Sequence, residues 1–454
     1  MDNSENKNTV NVHPQEVFKS QPLGSSNRKV VYLIVAIVII IFSIIILIAT
    51  IGKSIFSSKN INNKITLTMW EVGENQSVYQ SLINEYEKQN PNITINYVKV
   101  PSAYYASTLY NKIKSGQGVP DIVSIPNSFV SYFSPLLYSA PTSIFPVSLL
   151  ESKYYPIFQE DLTVNNKLYA IPTYYDGLAL LYNKSEYASA NLQGPSSNLY
   201  TFESEIPQLV NQNSNKTVTQ SAIDIGGSEN TYDAGEILNL LMQINKTVMV
   251  LNGNANFANK NGQEALSLYQ NIQSQDGWNS TFPSAIPAFA SGTVASIFAT
   301  ASDIKQIMQI NPNLNLGVSQ PPQIPGGTIN IPIYNAQAVP INSKNPEQAW
   351  KFLRFLSQQQ NLLTIFKNRQ SQGEVVGALP RLDMSQDNSQ FSFATVFEQM
   401  ASTSSSWYEG DPEAVNSIFD NVIDGNITLA EAQQKVQDIY DKIANGIYSI
   451  PTSE

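Results

Sequence analysis

The chain has 454 residues, more than one hydrophobic core usually organises, so at least two lobes are expected. Apolar residues make up 42% and charged residues 14%, which excludes a disordered chain, and a net charge of −10 excludes a polyanionic partner such as nucleic acid. There is no cysteine and one histidine, His13, so disulfides, thiolate nucleophiles, histidine-rich metal sites and a Ser-His-Asp triad in the body are excluded by inventory, and neither a metal nor a cofactor is expected.

Residues 1–29 read as a short polar tail. From Val30 to Ile51 the chain is uncharged and apolar, and as a helix this run spans about 33 Å, enough to cross a bilayer. It is too long for a secretory leader and lacks a small-residue cleavage site, so it reads as an uncleaved transmembrane anchor. Arg28 and Lys29 flank one end and Lys53, Lys59 and Lys64 the other, which leaves the orientation open on charge alone. Residues 52–64 read as a polar linker.

The body begins with ITLTMW, where Ile65, Leu67 and Met69 alternate with threonines as in a strand. Val78, Leu82, Ile83 and Tyr86 then recur at helical spacing up to Pro91, and ITINYVKV alternates again. Strand, helix, strand within forty residues predicts a βαβ unit with parallel strands and a right-handed crossover. A second helix closes at Gly116 and a third strand follows in DIVSI, so the first lobe is α/β; Asp121 at its start reads as a turn brace. Further on, NPEQAWKFLRFL places Ala349, Phe352, Leu353 and Leu356 on one side of a helix, which makes Trp350 a packing residue. Gly425 stops a helix, and Thr428 with Glu431 forms the capping box of the last one.

Several passages in this order are similar to family 1 extracellular solute-binding proteins, the ligand-capturing subunits of ABC importers that include the maltose-binding protein. They are the opening strand and INEYEKQNPNITINYV, then GVPDIVSI, then NNKLYAIPTYYDGLALLYNKSEY, the closest of them, and finally PAFASGTVASIF, NPEQAWKFLRFL and QGEVVGALPRLD. The resemblance implies a type II periplasmic-binding-protein fold of two α/β lobes. Lobe one would take 65–171 plus 323–358 and lobe two 172–316 plus 359–450. It further implies a cytoplasmic tail and an extracytoplasmic body on a single-pass anchor, a small polar solute held between the lobes, and an ABC permease as partner. Many relatives are anchored by a lipid on a cysteine; this chain has none, and its apolar segment would take that role.

A small polar ligand, a mono- or oligosaccharide above all, needs aromatic faces for its C–H surfaces and carboxylates or amides for its hydroxyls, gathered at the carboxyl ends of strands. On this ground Trp70 and Glu71 at the end of the first strand, Asn127 after the third, and Tyr174, Tyr175 and Asp176 after the expected crossing are candidate ligand contacts. Trp407 and Tyr408 resemble the family's late stacking aromatic, and Arg381 and Trp278 complete the set, although Trp278 could equally cover a loop. Three alternatives remain open at this level. One is a glycoside-active enzyme drawing two carboxylates from Glu71, Asp121 and Asp176. Another is iron capture by the tandem tyrosines, and the third is a surface sensor or adhesin on the same frame.

Overall fold

The computed structural model describes residues 64–102, 105–407 and 410–450, together with Tyr32, Leu33, Ala36 and Ile40. Residues 1–63 and 64–454 form separate units. In the first, the four described residues are helical and exposed. The anchor read at 30–51 otherwise lies outside the described residues, and among those described no helix is long and apolar enough to cross a membrane.

In the body, β1 (Ile65–Val72) buries Leu67 and Met69 while Thr66 faces out, and it pairs in parallel with β2 (Ile93–Val100) from Ile65 opposite Ile93 to Val72 opposite Val100. The helix Gln80–Gln89 between them buries Leu82, Ile83 and Tyr86. This is the βαβ unit that the alternating and helical periods specify. The strand β3 (Ile122–Pro126) joins β1 in parallel, with Asp121 accepting from the Thr68 amide (3.0 Å) and the Ser343 hydroxyl (2.7 Å) as a brace between segments. The strand Asn335–Ala338 then inserts antiparallel between β3 and Ala170–Pro172, completing a five-stranded sheet.

A second five-stranded sheet is built in the order Leu316–Ser319, Ala179–Asn183, Val294–Ala299, Val218–Ile223, Asn211–Gln212. The helices Ala234–Ile244, Pro412–Ile423 and Leu429–Ala444 share one hydrophobic core with it, the last with the expected Thr428–Glu431 capping box. Trp350 is fully buried, its indole N–H donating to the Tyr138 carbonyl (3.0 Å). Two sheets with separate helical covers make the two-lobed α/β architecture that the sequence implies.

Three connections run between the sheets, and they pair with one another. Tyr175 bridges Ala378, Gly177 bridges Pro332, and Asn330 bridges Ser404. The backbones approach so closely that a Cβ on Gly377 would sit 2.1 Å from the Tyr175 carbonyl oxygen, and one on Gly177 would sit 2.6 Å from that of Ile331. Only glycine fits these two places. One lobe boundary differs from expectation. The helix Gln359–Ser371 was expected in lobe two, yet Asn368 donates to the Val78 carbonyl (2.8 Å) and Arg369 pairs with Glu74, so it packs on lobe one. Its apolar residues Leu362 and Phe366 face a small core with Leu379 and Phe391 instead of the second sheet.

Candidate ligand-binding cleft

Where β1, β3 and Asn335–Ala338 come to the edge of the first sheet, they face the loop after Val294–Ala299 of the second. Three adjoining cavities lie along this line. The first, about 280 Å³, is lined by Glu71, Ser124, Gln337 and Arg369 from one side and by Ser302 and Lys305 from the other. The second, about 310 Å³, shares Tyr174, Ser302 and Asn335 with the first and extends to Asn127, Tyr334 and Glu413. The third, about 170 Å³, shares Asn127 and Ser128 with the second and ends at Asp161, Ser406 and Trp407. Both lobes contribute to the walls, and a ligand held here touches both.

Of the expected contacts, Glu71, Asn127, Tyr174 and Trp407 line these cavities. Glu71 is 2% exposed, and burial, followed by the nearby Glu74 carboxylate, pushes its carboxyl up to about 8, so it is protonated at neutral pH. Tyr174 lines the first two cavities, with the Arg369 guanidinium 4.3 Å from its ring centroid and its hydroxyl accepting from the Asn335 amide (3.3 Å). The Asn127 amide donates to Asp161 Oδ2 (3.0 Å) and its oxygen accepts from the Tyr334 amide (3.1 Å). Burial likewise lifts Asp161 to about 7. Trp407 is wedged against Phe257 and Phe419, ring centroids 6.2 and 6.1 Å away.

Five expected contacts stand elsewhere, and each has a physical reason. Trp70 and Glu71 are neighbours on an extended strand, so when Glu71 faces the cleft Trp70 faces the other way, under the Lys112 ammonium at 5.5 Å. The same alternation buries Tyr175, whose hydroxyl lies 2.6 Å from Ser404 Oγ, and this separates the tandem phenols that iron capture would need together. Asp176 is 1% exposed and is consumed by the amides of Gly177, Ala301 and Ser302 and the Ser302 hydroxyl. Trp278 covers its own loop, stacked on Phe282 at 5.1 Å and donating to Asn230. Arg381 is tied to Asp383 by two hydrogen bonds and donates to the Ser357 carbonyl. Tyr408 lies outside the described residues.

Sequence reasoning passed over Arg369, Gln337, Ser302 and Lys305. Arg369 and Lys305 sit in helical runs with no periodicity to mark them, and Gln337 lies in a strand that enters the sheet from far along the chain. Ser302, three residues beyond the strand Val294–Ala299, could have been found by the rule that placed Asn127. Among the described residues no group of three or more His, Cys, Asp or Glu could hold a metal ion.

Residues 70–361 match the model of a family described as bacterial extracellular solute-binding protein. A Brucella abortus (strain 2308) protein named as a candidate binding protein is 23% identical over 289 residues, 62% of this chain and 68% of that one. Among solved structures, the GacH receptor of Streptomyces glaucescens GLA.O, determined unliganded and with acarbose, superposes with a TM-score of 0.66 at 19% identity, covering 84% of this chain and 99% of that one. The sugar-binding protein MalE of Xanthomonas citri gives 0.67 at 19% identity, covering 84% and 98%. The matched span starts within β1 and takes in the remaining strands of both sheets and the first two connections between them, and on it the chain belongs to the bacterial extracellular solute-binding protein family.

Proposed function

We propose that this chain captures a carbohydrate between its two lobes and hands it to an ABC transporter permease, held at the outer face of the membrane by its N-terminal apolar segment. The observation that carries the reading is the line of cavities walled by both sheets, rich in uncharged hydrogen-bonding groups and flanked by Tyr174 and Trp407. Polar groups interleaved with aromatic edges suit a polyhydroxylated ligand. The folds it resembles include a receptor solved with acarbose and a sugar-binding MalE, which supports the same class of solute.

The paired connections supply the mechanism. A ligand that meets Glu71 and Gln337 on one lobe and Ser302 on the other makes all its contacts only when the lobes are shut, so binding shifts the population toward the closed form. A permease can then tell loaded from empty. Binding alone performs this task; no bond in the solute needs to break.

The test is calorimetry of the full chain in detergent with neutral gluco- and manno-oligosaccharides, alongside alkaline carbonate extraction of membranes carrying it. Saturable binding of at least one sugar, without its turnover, and retention in the membrane pellet are expected. Heat from none of them would overturn the carbohydrate reading, and release by carbonate would overturn the anchor.

A further inference from the structure

The cavity beside the end of β1 is charge-balanced in a way that restricts what can enter. Its lining holds five ionisable acids and bases: Glu71, Glu74, Glu374, Lys305 and Arg369. Arg369 grips Glu74 through Nε (2.8 Å) and Nη2, and Lys305 meets Glu374 at 3.4 Å. Both cations are thus matched, and the remaining carboxyl, Glu71, accepts from the Gln337 amide at 3.2 Å.

Three buried atoms in this lining are left over, and one of them, the Ser124 hydroxyl, both donates and accepts and so does not discriminate between ligands. Arg369 Nη1, a donor on a residue 4% exposed, and Gln337 Oε1, an acceptor on a residue 1% exposed, have no hydrogen-bond partner among the described residues. A buried polar atom left unmatched costs about 1–3 kcal/mol, so each calls for a ligand atom. The chemistry of the two atoms differs, and that difference selects the ligand. An ammonium group only donates, so it can serve Gln337 Oε1 but not Arg369 Nη1, and it adds an uncompensated cation. A carboxylate only accepts, so it can serve Arg369 but leaves Gln337 Oε1 unmatched, and it adds a negative charge beside Glu74. A hydroxyl both donates and accepts.

We propose that this pocket is a charge-discriminating subsite which seats an uncharged, hydroxyl-bearing end of the solute between Arg369 Nη1 and Gln337 Oε1, and so rejects sugar acids and amino sugars of the same shape. The inference rests on the carbohydrate reading above and narrows it to neutral sugars.

Glu71 makes the discrimination depend on pH. Burial holds its carboxyl near 8, and once ionised it places inside the pocket the same negative charge that a sugar acid would bring. The groups facing it are Glu74 and Arg369, the Gln337 amide, the Lys305–Glu374 pair across the cavity, and the phenols of Tyr79, Tyr97, Tyr105 and Tyr174. Burial raises all four phenols, so they stay neutral through this range. Glu71 is therefore the group whose charge changes there.

The experiment is calorimetry of the full chain with neutral gluco- and manno-oligosaccharides and their uronic-acid and 2-amino counterparts, run from pH 6 to 9.5. The expected result at pH 6 is binding of the neutral form at least tenfold tighter than either charged form, and a neutral-to-acid ratio that widens as Glu71 ionises. In Gln337→Met the neutral-to-acid ratio should fall, because a carboxylate then leaves no Gln337 acceptor unmatched, and in Glu71→Gln the pH profile should be flat whatever the affinity. Should a variant fail to fold, the wild-type ratio and profile still decide. Equal or tighter binding of a charged counterpart at pH 6, or a wild-type neutral-to-acid ratio that stays constant from pH 6 to 9.5, overturns the inference while leaving the carbohydrate reading intact. Absence of binding by every sugar overturns that reading, and the inference with it.

Discussion

Arg369 lies over the face of Tyr174, its guanidinium carbon 4.3 Å from the ring centroid, while its other side grips Glu74. The three groups come from a helix, a connection between the sheets and the turn after β1, so one cation ties three separate parts of the cleft together.

The first prediction follows from the burial of that pair, whose side chains are 5% and 12% exposed. Removing one partner leaves a charge without a counter-charge in a low-dielectric site, which costs about 3–5 kcal/mol. Arg369→Met should lower stability by that amount, and Glu74→Gln by less, because its amide still accepts. A double-mutant cycle by urea denaturation should return a coupling energy of about 2 kcal/mol or more; additive effects would contradict the pairing.

Asp176 carries the second prediction. Its carboxylate takes the Gly177, Ala301 and Ser302 amides and the Ser302 hydroxyl at 2.6–3.1 Å, and so fixes the loop after Val294–Ala299 to the first connection. Asp176→Ala strands those buried donors and should cost about 3 kcal/mol of stability with or without sugar present. Asp176→Asn keeps one acceptor and should recover part of the loss. Thermal melts that differ only when ligand is added would instead assign Asp176 a direct contact.

These two residues show what the sequence could and could not tell. The βαβ opening, the capping box at Thr428 and the burial of Trp350 are written in local period and composition, which depend on neighbours a few positions apart. The segment Tyr174–Asp176 was legible as a special place because it follows the expected crossing, and it lies between Ala170–Pro172 of one sheet and Ala179–Asn183 of the other. Which of its side chains meets the cleft was not legible. That depends on the pleat at one strand end and on Ala301 and Ser302, more than a hundred residues away, which claim Asp176. Arg369 was invisible for the same reason, since its partners Glu74 and Tyr174 are set by the fold alone.

The third prediction concerns pH. Burial raises Glu71 to about 8, Asp161 to about 7 and Asp276 to about 9, from ordinary values of 4.5, 3.8 and 3.8. Between the unfolded and folded values the native state binds more protons than the unfolded chain, so stability is fully present near pH 4 and is lost as pH rises through 7 to 9. Each such proton contributes a slope of at most about 1.4 kcal/mol per pH unit. Asp383, which the Arg381 guanidinium lowers, acts in the opposite sense and only in acid below that window. The melting temperature should therefore be higher at pH 5 than at pH 8.5, and Asp276→Asn should flatten the alkaline part of the curve. A melting temperature that climbs from pH 5 to 8.5 would refute this.

The last prediction concerns the tail after the final helix. Tyr448 follows Leu429–Ala444 in lobe two, its hydroxyl donating to Asp411 Oδ2 at 2.8 Å, yet its carbonyl accepts from Tyr110 (3.2 Å) and its ring meets Tyr132 edge-on at 5.8 Å. Tyr110 and Tyr132 belong to helices of lobe one and stack on each other at 6.0 Å. The tail thus touches both lobes, and on the proposed closing mechanism its contacts would favour the closed arrangement. An edge-on aromatic pair contributes about 0.5–1.5 kcal/mol, and a free energy of that size added to the closed state lowers the apparent Kd by about two- to tenfold. Tyr448→Ala should raise Kd for the sugar by that factor while leaving neutral-to-charged selectivity in place, because the pocket beside Glu71 is untouched. Small-angle scattering of the unliganded variant should show a larger radius of gyration than the wild type, converging with it once sugar is saturating. Unchanged Kd together with unchanged scattering would reduce the tail to a surface contact.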